Sequence, residues 1–157
     1  MKKLVSGLLI ASVGLFALPN DPIELALISK AAEKKAIVLA SMKLDNETQA
    51  KFGELYDKYQ QKMMKLRVKE LNIIADYAKN YNDLTNEKAD KLITNWMSVE
   101  GAELKLKNEY IKKFKKVLPS SEIIRYYQIE NKFQLIRELQ RSELIPLAIP
   151  AQFKSSK

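Results

Sequence analysis

Apolar positions along this chain fall into two patterns, an unbroken run at the N-terminus and then a series of stripes at helical spacing. The run extends from Leu4 to Leu18 without a charge and follows Met1-Lys2-Lys3. A short basic start ahead of roughly 7–15 apolar residues is the layout of a secretory signal peptide. The lysines stay on the cytoplasmic side while the apolar stretch enters the translocon. The run falls short of the ~20 residues of a comfortable membrane span, and Pro19 and Pro22 stop it. Residues 1–17 are therefore expected to be an export signal cut after Ala17, although Leu15 is bulky for its place in a cleavage site. Retention as a membrane anchor is the alternative. The remaining chain is expected to work in the periplasm.

Beyond Pro22 glycine and proline are scarce: Gly53, Gly101 and Pro119 are the sole breaks before Pro146. Long helices are the economical reading of such a chain. A first segment, Ile23 to Met42, carries Leu25, Ile28, Ala32, Ala36 and Leu39 at helical spacing. A second begins at Leu44-Asp45-Asn46-Glu47, where Asp45 or Asn46 can cap the first free backbone donors. Its stripe runs through Phe52, Leu55, Tyr56, Tyr59, Met63, Leu66, Ile73, Ile74, Tyr77 and Tyr81. That length predicts one arm of an extended hairpin. A turn at Asn80-Tyr81-Asn82-Asp83 is followed by a restart with Thr85 as cap. The third stripe is Ala89, Leu92, Trp96, Val99, Leu106, Tyr110, Phe114 and Val117. Pro119-Ser120-Ser121-Glu122 then opens a fourth, carrying Ile123, Tyr126, Ile129, Phe133, Ile136 and Leu139.

The expected fold is therefore all-α: four helices, built on a long antiparallel hairpin with flanking helices, over residues 18–143. Residues 144–157 should form an extended tail, because Pro146 and Pro150 interrupt its apolar run. Its apolar part, Leu144 to Pro150, is expected to lie in a groove between helices. Counting outward from the turn places Ile74 near Leu92, Leu66 near Val99, and Tyr56 near Tyr110.

Composition narrows the chemistry. The chain has no cysteine, which excludes disulfides, thiol catalysis and cysteine metal sites. It has no histidine, which removes the commonest general base and metal ligand. No phosphate loop or nucleophile elbow occurs. Glu70 and Glu103 fall on apolar stripes, but hairpin counting sets them about three turns apart, too far for a catalytic pair. Pairing with lysine or arginine of a neighbouring helix is the better reading for both, and for Glu130. Met42, Met63, Met64 and Met97 show no metal-binding repeat and read as core filler. No catalytic group, cofactor or metal is expected.

Charge is more informative. Loss of residues 1–17 removes Lys2 and Lys3 and no acid, so the formal charge of +8 falls to +6. For an exported protein such a charge points away from nucleic acid and toward anionic lipid, acidic envelope polymers or acidic unfolded polypeptide. Lys58, Lys62, Lys65, Arg67 and Lys69 follow one another without an acid. From Lys105 to Lys116 six lysines, Lys112 and Lys113 among them, face the single Glu109. Tyr110 lies in that run, and Tyr126 and Tyr127 follow Arg125. Lysine stems and tyrosine rings make a surface able to meet apolar and acidic groups without strict geometry. A solvated helix face over a tyrosine-containing core fits the same residues.

Leu84-Thr85-Asn86-Glu87-Lys88 shares the leucine and threonine of a Leu-Thr-x-x-Gln helix start, with Lys88 in place of the glutamine. Leu44 to Gln49 has the leucine and a glutamine one residue late. With its short exported layout of four helices, the chain resembles the Spy/CpxP group of periplasmic proteins over most of its mature length. That resemblance implies a curved helical homodimer whose basic concave face holds unfolded clients without ATP or tunes an envelope stress sensor. Histidines used by metal-sensing relatives are missing, and the tail with Pro146 and Pro150 has no place in the family pattern. The function expected is binding of unfolded client proteins or of an envelope sensor protein. A dedicated regulatory partner of one sensor, or a structural protein on an anionic membrane or the cell wall, are the alternatives.

Overall fold

A computed structural model describes residues 22–149; the expected export signal (residues 1–17) and the solvated end, Gln152 to Lys157, lie outside the described residues. The described chain is all-α, with four helices and no strand: α1 (Pro22–Met42), α2 (Asn46–Asn80), α3 (Asn86–Phe114) and α4 (Ser120–Leu144). None of the described helices is long and apolar enough to cross a membrane.

Local chemistry sets the boundaries. The chain reverses after α1 through Lys43, whose φ of 55° is the left-handed backbone that commonly ends a helix. Asp45 then caps α2, its carboxylate accepting from the Thr48 amide at 3.0 Å. Thr85 caps α3 in the same way, accepting from the Lys88 amide at 3.3 Å. A 3-10 turn, Tyr81–Asp83, joins α2 to α3. At 1.5 Å per residue the 35 residues of α2 span roughly 50 Å.

That 3-10 turn corrects the expected register. It prolongs the α2 arm to Asp83, which moves the centre of the reversal along the chain and slides α3 by about one helical turn. Tyr110 therefore lies ring to ring with Tyr59, at 5.3 Å between centroids, and Glu103 meets Arg67.

The hairpin is closed unevenly. At the end holding the α1–α2 and α3–α4 reversals, all four helices supply one core. Val38 and Met42 come from α1, Phe52, Tyr56, Tyr59 and Met63 from α2, Leu106, Tyr110 and Phe114 from α3, and Ile123 and Tyr126 from α4, with Leu118 between α3 and α4. Phe52 is its hub: Phe114 lies at 5.3 Å, and Tyr126 stands edge-on at 5.4 Å. Such ring pairs add about 0.5–1.5 kcal/mol each beyond burial. Toward the 3-10 turn the buried apolar residues thin to Ile73 and Val99.

α1 packs through Val38 and Met42, whereas the expected stripe residues Ala32 and Ala36 face solvent. A row of alanines marks helical phase weakly, since alanine buries little side chain on either face. On α4 the expected stripe holds at Ile123 and Tyr126 and fails at Ile136 and Leu139, which are exposed. The cause is that the apolar residues of α4 are scattered around its circumference among polar ones, so periodicity gives no single inward face. Its outer side also shows Ile124, Tyr127 and Leu135.

The start of the tail leaves the helix in extended backbone at Ile145. It is held by its carbonyls: the Tyr77 hydroxyl donates to Pro146 O at 2.8 Å and the Tyr81 hydroxyl to Leu147 O at 3.2 Å. Leu144 and Leu147 are exposed, so the tail is strapped along the far end of α2 rather than sunk in a groove.

Candidate functional site

Helical spacing gathers four of the expected binding residues. Lys58, Lys62, Lys65 and Lys69 sit at i, i+4, i+7 and i+11 of α2, one ridge, and all four are exposed. Lys105, Lys112, Lys113 and Lys116 border one shallow groove on α3. The two ridges meet at Glu109, whose Oε1 accepts from Lys113 at 2.7 Å and from Lys62 at 3.3 Å. Those two lysines hold the Glu109 carboxyl below its usual range, and Glu109 in turn raises Lys113. Beneath them lies Tyr110, with the ammonium groups of Lys113 and Lys62 at 4.4 and 5.4 Å from its ring centroid. The result is a basic face on the hairpin, turned away from α1 and α4.

Other expected members of that face belong elsewhere. Tyr110 and Tyr126 are core residues, 2% and 4% exposed, so neither ring is offered to a partner. Arg125 is exposed but tied to α1, its Nε donating to Ser41 O at 2.7 Å. Tyr127 is exposed on α4 and borders an internal cavity. A charge-and-aromatic run read along the chain mixes the faces of a helix, and period 3.6 separates them again.

Arg67 is the clearest correction. It lies half a turn from the lysine ridge and points inward, where its guanidinium joins α2 to α3. Nη1 lies 2.8 Å from Glu70 Oε2 and 2.5 Å from Glu103 Oε1, while Nη2 donates to Glu103 Oε2 at 3.1 Å. Arg141 of α4 closes the group by pairing with the other oxygen of Glu70, its guanidinium 5.0 Å from the Trp96 ring centroid. Two carboxylates expected to be well apart thus share one arginine. Their ion pairing agrees with the sequence reading; their distance does not, because of the register shift. Two guanidinium groups balance two carboxylates. Glu130 is likewise engaged, accepting from Lys34 at 2.6 Å, Tyr56 at 3.3 Å and Gln60 at 3.4 Å.

The feature that sequence reasoning missed is a half-open cavity of about 510 Å³ bordered by α1, α2 and α4, with α3 behind it. It exists because α4 is held to α2 by long side chains, such as the Tyr56–Glu130 and Arg141–Glu70 contacts, rather than by close backbone approach. The one signal available in the sequence was the weak amphipathicity of α4, whose apolar residues do not gather on one side. Met63 and Met64 both border the cavity, Met63 from the core and Met64 half-buried, while Met97 is exposed instead of filling core. Among the described residues no cluster of metal-ligating side chains forms.

No protein-family model matches the chain, and no curated protein or solved structure is significantly similar to it. The reading of its function rests on its own residues.

Proposed function

We propose that the chain is an exported, periplasmic protein-binding module of the ATP-independent chaperone or envelope-stress-modulator kind, without a catalytic step. The observation that carries this reading is the basic face made where the lysine ridges of α2 and α3 adjoin across Glu109. Long lysine stems let such a face adapt to acidic and partly apolar segments of unfolded polypeptide. Its attraction is to many geometries rather than one, and it weakens as salt screens it.

The test is light scattering from an aggregating acidic client, without nucleotide, at equimolar ratio. Suppression is expected at low salt, falling as salt rises toward 1 M, and falling several-fold in the variant Lys62→Glu/Lys65→Glu/Lys112→Glu. Absence of suppression at low salt, or equal suppression by the triple variant, sinks the proposal.

A second reading, a dedicated partner of one envelope sensor protein, is favoured by α4. Its exposed Ile124, Leu135 and Leu139 share one outer stripe, suited to a single matched surface, whether another protein or a second copy of this chain. Recovery of one stoichiometric partner from envelope extract supports this reading; a broad set of clients supports the first.

A further inference from the structure

The cavity between α1, α2 and α4 has a chemistry that the basic face does not use. Its walls are apolar and aromatic, with Tyr59, Met63, Phe114 and Phe133 contributing. About 510 Å³ lies within the range of small-molecule sites and is far below what a folded partner needs. The cavity is also long. Along α4 its lining runs from Tyr126 to Gln140, about 21 Å at 1.5 Å per residue. That shape suits an unbranched chain.

Two polar groups in it lack partners. The Tyr126 hydroxyl is buried with no hydrogen-bond partner, although nearly every buried hydroxyl finds one. The second is Arg137. Its Nε is buried without an acceptor, and among the described residues its guanidinium makes no ion pair. Two neighbouring cations are paired with carboxylates, Arg67 with Glu70 and Glu103 and Lys34 with Glu130, while Lys107 bonds the neutral Gln134. Burial, and then the charge of Arg67, disfavour the protonated form of Arg137. An unpaired, partly buried guanidinium is costly, and a bound carboxylate would relieve that cost. Its planar fork matches a carboxylate bidentately.

We infer that this cavity binds a single-chain amphipathic anion, an unbranched acyl or alkyl chain ending in a carboxylate, with the carboxylate on Arg137 and the chain along the aromatic wall. Nothing in the lysine face is required for this, and either site can fail without the other.

The test is calorimetric titration of the full chain with sodium dodecanoate, kept below the concentration at which it forms micelles. One dodecanoate per chain is expected. Affinity should fall at least about tenfold for 1-dodecanol, which keeps the tail and loses the charge, and by a similar factor for Arg137→Met, the range of a lost charged hydrogen bond. Lys69→Met, on the outer ridge, should bind as the unaltered protein does. Acyl chains captured by the apolar N-terminal run would bind the unaltered protein and Arg137→Met alike, which separates that run from the cavity. No binding, equal binding of dodecanoate and dodecanol, or equal binding by Arg137→Met overturns the inference. Should Arg137→Met fail to fold, the dodecanoate-to-dodecanol ratio on the unaltered protein decides.

Discussion

The two ends of the α2–α3 hairpin are built from the same kind of helix and held by different physics. At the end where α1 and α4 join it, Phe52, Phe114, Tyr126 and Tyr59 interlock with aliphatic residues from every helix. At the other end, beyond Glu70, the hairpin is a two-helix arm. Ile73 and Val99 are its buried apolar residues, and Arg67, Glu70, Glu103 and Arg141 take the place of a core. Burial at the first end is non-directional and large; ion pairs at the second give position more than stability, because desolvation offsets much of their attraction. A rigid clasp thus carries a looser arm. The lysine ridge runs from one toward the other, so a partner can meet both a fixed and a compliant part of the same face.

The strongest way to break this contrast is at the hub. Phe52→Ala is expected to lower unfolding stability by about 3–5 kcal/mol, the usual cost of removing a fully buried phenyl ring. Ile73→Ala in the arm should cost about 2 kcal/mol, at the low end for its type, because its surroundings can collapse. Denaturant unfolding of both variants reads the difference, and equal costs would show that the two ends are packed alike.

Alkaline titration sharpens the same contrast. Burial, with the Glu130 charge adding to it, raises the phenols of Tyr56, Tyr59 and Tyr126 above their usual value. All three lie in the aromatic clasp. Above pH ~10 the unfolded chain loses these protons while the folded chain keeps them. The folded state then binds more protons, so stability falls as pH rises, by about 1.4 kcal/mol per pH unit for each tyrosine. Lys34 works the other way in the window just below its ordinary value, since burial lowers its pKa. Phenolate absorbance should therefore show Tyr56, Tyr59 and Tyr126 ionising together with unfolding. Ionisation of these three while the protein stays folded would refute the packing described.

The smallest effect compares the two caps. Asp45→Ala and Thr85→Ala each remove one hydrogen bond to a helix start, worth about 1 kcal/mol. Loss at Asp45 should lower global stability, because α2 starts within the clasp. Loss at Thr85 should instead speed amide hydrogen exchange in the first turns of α3, leaving the clasp protected.

Much of the architecture was legible because helix signals are local. Scarce glycine and proline, the caps at Asp45 and Thr85, and the long stripe of α2 each depend on a few neighbouring residues. Phe52, Tyr59, Met63, Tyr110 and Phe114 were readable as core for the same reason: each side of a long helix repeats its own pattern. The binding residues were only half legible. Lysines 58, 62, 65 and 69 share a ridge by arithmetic of the helix, while Arg67, equally basic in sequence, lies on its far side.

What needed the tertiary structure was everything set by how one helix lies against another. The 3-10 turn at Tyr81–Asp83 moved the register by about one helical turn and brought Glu70 and Glu103 onto one arginine. α4, with apolar and polar residues mixed around its circumference, carried no internal instruction about which side faces inward. Its long-armed docking on α2 opened the cavity and left Arg137 with no ion pair among the described residues. By itself the sequence determined that the chain is a set of four helices in a long hairpin with flanking helices, because backbone hydrogen bonding and side-chain period are local properties. Register, the fate of each charge and the space between helices were decided by packing, where a displacement of one turn changes every partner at once.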